Sequence, residues 1–142
     1  MRVPFVRLAV LTLFALACSA FAETITYTAG LKGADEVPPN DTKGTGTVDA
    51  KYDTASMKFT YTVTYSGLTG PATAAHFHGP AKPGVNAGPI ITLENLQSPI
   101  KGEATLTAEQ AKQLADGMWY LNVHTAAHPP GEIRGQLMKK MH

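Results

Sequence analysis

From Met57 to Tyr65 the chain alternates. Met57, Phe59, Tyr61, Val63 and Tyr65 occupy one set of positions, and Lys58, Thr60, Thr62 and Thr64 the other. Period-two alternation of aromatic and β-branched residues predicts a strand with one buried face. Gly67 and the pair Gly70-Pro71 close it. Seven shorter segments carry the same signal: 24–31 (Ile25, Tyr27 and Ala29 on one face), 46–52 (Val48, Ala50, Tyr52), 72–78, 89–96, 102–106, 118–125 and 132–138. About eight short antiparallel strands with Gly, Pro and Asn turns predict an all-β, Greek-key sandwich or barrel. One short helix interrupts the series. Thr107 is its N-cap, Gln110 completes a capping box, and Gly117 is the stop. Ala108, Ala111, Leu114 and Ala115 form its apolar stripe. The last five residues, from Met138, are expected to fray.

The first 22 residues break the pattern. Arg2 and Arg7 precede an apolar run from Leu8 to Leu16, and Ala20-Phe21-Ala22 fits a small-x-small cleavage site. That is an export leader, which makes residues 23–142 one mature domain and places it in the periplasm or outside the cell. A lipid anchor at Cys18 is the alternative. Leu16-Ala17 precedes that cysteine, but a lipobox wants its Leu one position earlier, where Ala15 stands.

Loss of the leader changes the composition. It removes two of twelve basic residues and the only cysteine, leaving ten against eleven acids, a net charge of −1. A near-neutral chain without a basic stripe argues against nucleic acid as a partner. A cysteine-free exported domain rests on its core and not on disulfides. No second long apolar run predicts a membrane span. Asn40-Asp41-Thr42 has the form of a glycosylation acceptor.

The candidate chemistry lies in histidines. In Ala75-His76-Phe77-His78-Gly79, residues two apart share a strand face, so Phe77 points to the core while both imidazoles point away from it. In Trp119-Tyr120-Leu121-Asn122-Val123-His124-Thr125 the odd positions are the core face, and Tyr120, Asn122 and His124 share the other. If these strands are neighbours, His76, His78 and His124 meet. Three imidazoles leave one position open, the ligand count of an exchangeable metal site. Copper is expected before zinc, since divalent copper tops the affinity order at nitrogen sites. His128, on the turn after the strand, is a candidate fourth ligand. The plainer reading is three imidazoles bonded to neighbouring carbonyls or carboxylates.

Around them, Asn122 or Tyr120 would orient a ligand. Glu132, Arg134 and Gln136 are expected to face outward together. An ion pair of Arg134 with Asp35, Glu36 or Glu132 is the expectation, and anion guidance the alternative. Asp35-Glu36-Val37-Pro38-Pro39 reads as a rigid connection, or as the source of an acidic partner for the histidines. There is no Gly-x-Ser-x-Gly elbow, no phosphate-binding Gly-rich loop and no nucleophilic cysteine in the mature chain.

Three blocks carry a family resemblance. Gly33 to Pro39, Ala74-Ala-His-Phe-His-Gly-Pro-Ala81, and Trp119 to Thr125 with Pro130-Gly-Glu-Ile-Arg-Gly-Gln-Leu137 together resemble the CHRD (chordin-type) domain over nearly the whole mature chain. That resemblance implies fold and export. It does not imply growth-factor binding for a single small domain. A looser likeness, of His76, His78, His124 and Arg134, is to the copper half of copper–zinc superoxide dismutase, also a Greek-key sandwich as immunoglobulin domains are. With no histidine between Gly79 and Tyr120 to bridge two ions, it implies at most one copper or zinc ion. Three functions remain open: a metal-binding module, a mononuclear metalloenzyme on the same residues, and a metal-free domain that meets a protein or glycan.

Overall fold

A computed structural model describes residues 12–13 and 21–141. Apart from residues 12–13 and 21–22, the expected leader lies outside them, as do Cys18 and His142. The strands are Thr24–Lys32 (β1), Thr45–Asp53 (β2), Lys58–Ser66 (β3), Ala72–His78 (β4), Pro89–Thr92 (β5), Ile100–Thr105 (β6), Tyr120–Thr125 (β7), Ile133–Gln136 (β8) and Met138–Lys139 (β9). A helix, Ala108–Ala115 (α1), precedes β7. All pairings are antiparallel. The strand order is β5-β4-β7-β8-β1-β2-β3-β6, with β9 also on β1. The sheet curls into a nearly closed barrel. The pairings of β3 with β6 and β4 with β7 skip over intervening strands, the crossed connectivity of a Greek key.

The alternation seen in the sequence builds the interior. Phe59, Tyr61 and Val63 of β3 face in, with Val48 opposite Val63 and Ala50 opposite Tyr61. Phe59 meets Phe77 and Trp119 edge-on at 5.3 and 5.7 Å between ring centroids. Phe77, between the two histidines of β4, is fully buried, and that burial contributes about 2–3 kcal/mol. It also fixes which way His76 and His78 point. β8 joins the two halves through one pair, Lys32 with Arg134. Gly135 makes this approach possible, because a Cβ there would lie 2.1 Å from the Gly30 carbonyl oxygen.

Several elements depart from expectation. β5 ends at Thr92, although Leu93 is still buried and donates its N–H to Ala75 O. α1 has the capping box, with Gln110 N–H donating to Thr107 Oγ1 and Thr107 N–H to Gln110 Oε1. Its stripe is narrower than expected: Leu114 is buried, Ala111 half-buried, and Ala108 and Ala115 are exposed. An eight-residue helix lying against a curved sheet touches it along one line only. The C-terminal tail does not fray where expected, since Met138 and Lys139 pair with Thr28 and Tyr27 along β1. Leu137, fully buried, anchors the step between β8 and β9.

Candidate metal centre

β4 and β7 lie side by side, with Ala74 opposite His124, His76 opposite Asn122 and His78 opposite Tyr120. His76 and His124 are therefore diagonal neighbours, within reach of long side chains. Their rings approach to 5.2 Å between centroids, and His76 Nδ1 stands 3.3 Å from His124 Nε2. His124 Nδ1–H donates to Pro129 O at 2.8 Å. A neutral ring has one N–H, so Nε2 of His124 carries the lone pair and His76 Nδ1–H points at it. One potential ligand atom from each of His76, His78 and His124 lies within 4.8 Å of the others.

His78 is held by more partners. Its Nδ1 is 2.8 Å from Ala87 O, and its Nε2 is 2.9 Å from Asn122 Oδ1. Its ring stacks on Tyr120 at 4.7 Å and 3°. Tyr120 is covered on its other face by the Arg134 guanidinium, 3.5 Å from the ring centre. The Tyr120 hydroxyl accepts from Ala87 N–H and donates to Ala87 O. His78 and His124 thus follow one plan: Nδ1 faces a backbone carbonyl, and Nε2 is turned to the space between the strands. That is how metal-ligating histidines are commonly oriented. Burial, then the neighbouring His124 and His78, push the His76 pKa down. Burial also pushes His78 down, and outweighs the bonds to Ala87 and Asn122 that favour its charged form. Both rings therefore favour the neutral form that ligates metals.

The outward face of β7 is not open to solvent. Tyr120 and Asn122 are buried, at 2% and 4% exposure. The segments 33–40 and 79–88 fold over it, where the sequence predicts a rigid connection or acidic partner in the first and a surface loop near the histidines in the second. Arg134 makes no ion pair among the described residues. It donates to Asn86 Oδ1 and Val85 O instead, at 2.8 and 2.6 Å. Neither Asp35 nor Glu132 is its partner, and Glu36 acts on it only through space. The guanidinium stands over the Tyr120 ring, and there Val85 O and Asn86 Oδ1 take its N–H groups.

Glu132 does not face outward with Arg134 and Gln136. It is fully buried and accepts from Thr42 Oγ1 at 2.8 Å, Thr125 Oγ1 at 2.7 Å, Thr69 N–H at 3.0 Å and the Thr69 hydroxyl. Gly131, at φ +130°, turns the chain just before it and takes it out of strand alternation. His128 sits beside this carboxylate, its Nε2 4.0 Å from Glu132 Oε1, and is not one of the three clustered histidines. Glu36 is also buried, at 5% exposure, and its Oε1 has no hydrogen-bond partner. Together with Val37, Pro83, Gly84, Arg134 and Gln136 it lines a cleft of about 380 Å³. Sequence reasoning placed the histidines and Asn122 on one face. It did not find Ala87 and Pro129, whose contributions are backbone carbonyls and leave no side-chain signal.

No described helix is long and apolar enough to cross a membrane. A family model for the CHRD domain matches residues 27–137, so the chain belongs to the CHRD domain family. No curated protein and no solved structure matches it.

Proposed function

We propose that this CHRD-family chain is an exported module that holds one transition-metal ion on His76, His78 and His124. The observation that carries the reading is the 3.3 Å between His76 Nδ1 and His124 Nε2. Two imidazole nitrogens bound tetrahedrally at zinc distances stand about 3.3 Å apart, and at a square-planar corner about 2.9 Å. The pair already spans a tetrahedral edge, and His76 becomes a ligand there when its proton passes from Nδ1 to Nε2. His78 completes the set by exchanging Asn122 for the ion at Nε2. His128 is left out, because it lies outside the three-histidine cluster, with its Nε2 4.0 Å from Glu132 Oε1. Copper is favoured by the affinity order and zinc by the tetrahedral edge, so competition between the two ions ranks them.

Calorimetry tests the reading. One Cu²⁺ or Zn²⁺ ion per chain is expected, with binding lost in His124→Ala and in His76→Ala. At a free-ion concentration a hundred times Kd, the native state gains about 2.7 kcal/mol. No heat above the dilution background with either ion overturns it. One observation favours a second reading, a metal-free interaction domain: both nitrogens of His78 already have protein partners. Under that reading the melting temperature is the same with added ion and with chelator.

A further inference from the structure

The hydrogen bonds around His78 do not balance as a set of neutral groups. Its two nitrogens face two oxygens, Ala87 O and Asn122 Oδ1, and a neutral imidazole has one N–H to give. The Asn122 amide carries a donor and an acceptor on one plane, and a half turn about its last bond exchanges them. Asn122 NH₂ then donates to His78 Nε2, and His78 Nδ1–H donates to Ala87 O. The Asn122 oxygen, in turn, faces Glu36, and the long 3.4 Å bond from Asn122 Nδ2 to Pro130 O is given up.

Only a protonated carboxyl can donate to that oxygen. Glu36 is placed and conditioned to do so. The Cβ that Gly131 lacks would lie 2.5 Å from Glu36 Oε1 and 2.7 Å from Asn122 Nδ2, so the two side chains meet over this glycine. Burial pushes the Glu36 carboxyl up to about 7, against the lowering effects of the Arg134 charge and the Asn122 bond. The one buried side-chain atom without a partner among the described residues is Glu36 Oε1. A half-turned Asn122 gives it one.

We propose that Glu36 is a positioning residue for the histidine site: its carboxyl O–H holds the Asn122 oxygen, which aims the Asn122 NH₂ at His78 and keeps Nε2 of that ring free of its proton. The chain of donors runs Glu36 to Asn122, Asn122 to His78, His78 to Ala87, with each group used once. An arriving ion then replaces one neutral N–H donor at Nε2 and displaces no proton from the ring. The importance of this for metal uptake rests on the coordination reading above; the hydrogen-bond order does not.

Nitrogen NMR of the histidine rings in the metal-free protein, paired with Cu²⁺ and Zn²⁺ calorimetry, separates the two. In the wild type His78 Nε2 is expected unprotonated and Nδ1 protonated. Glu36→Gln, whose amide N–H replaces the carboxyl O–H, retains that pattern and the ion affinity. Glu36→Leu removes the donor, so Asn122 turns back, the proton moves to Nε2, and affinity falls roughly 10–100-fold. His76 and His124 signals stay unchanged in both variants. If Glu36→Leu fails to fold, Asn122→Asp, which offers only acceptor oxygens to Nε2, must bring a proton to that nitrogen of His78. The inference is overturned if the His78 tautomer is unmoved in these variants, or if Gln behaves as Leu does. If the tautomers shift as stated while the wild type takes up no ion, the positioning role stands and the coordination reading falls.

Discussion

Glu36 and Glu132 stand on either side of Gly131, both buried, and they are treated in opposite ways. Glu132 is 0% exposed, and burial alone would raise its pKa. The hydroxyls of Thr69, Thr125 and Thr42 and the Thr69 N–H outweigh that and hold it below the ordinary carboxylate value. Glu36 is 5% exposed and has no comparable ring of donors, so burial wins and raises it to about 7. The difference teaches what each is for. A carboxylate with every lone pair occupied ties three loops and strands together. A carboxyl with an unpartnered oxygen, one amide away from an imidazole, costs stability and is placed where that amide can use it.

Removing each group breaks or sharpens this contrast. The largest effect belongs to Glu132→Ala. It strands the hydroxyls of Thr42, Thr69 and Thr125 and opens a cavity, so a loss of roughly 3–5 kcal/mol is expected. In thermal unfolding that lowers Tm by on the order of 10 °C or more. A loss under about 1 kcal/mol would mean the network is ornamental.

Glu36→Gln comes next and has the opposite sign. Its folded pKa, about 7, lies above its ordinary 4.5. The protonated group contributes fully below the ordinary value, and that contribution is lost as pH rises through the folded one. At pH 8 the variant is therefore expected to be more stable than wild type, by at most about 3 kcal/mol, and near pH 4 equal to it. Denaturant unfolding at the two pH values reads this directly. Glu132 gives the reverse dependence, with stability present above its ordinary pKa and lost as pH falls through its lowered folded value. The smallest effect is His128→Ala. If the hydroxyls and not the imidazole hold Glu132, unfolding changes by less than about 0.5 kcal/mol.

The sequence carried the strands because a half-buried sheet writes itself in alternate residues. Phe59, Tyr61 and Val63 are buried where period two puts them. It carried the start of α1 because a capping box is a local hydrogen-bond pattern. It also placed His76, His78 and His124 on one face, and β4 beside β7 then brings them together. What it did not carry is the roof. Tyr120 and Asn122 look solvent-facing by alternation, yet segments 33–40 and 79–88 cover them through contacts far apart in sequence. Glu132 looks like a surface residue for the same reason, because Gly131 resets the alternation just ahead of β8. The ion pair expected of Arg134 gave way to a backbone carbonyl and an amide oxygen of the covering loop.

The Asn40 amide acts as a clasp on this roof: its NH₂ donates to Glu132 O at 3.0 Å, and its oxygen accepts from Thr42 N–H at 3.0 Å. A sugar chain attached to that nitrogen would hold segment 33–40 away from the barrel. A yeast or mammalian expression host, which decorates such sequons on the emerging polypeptide, would therefore spoil the very contact that seats Glu36. Bacterial production leaves the clasp intact.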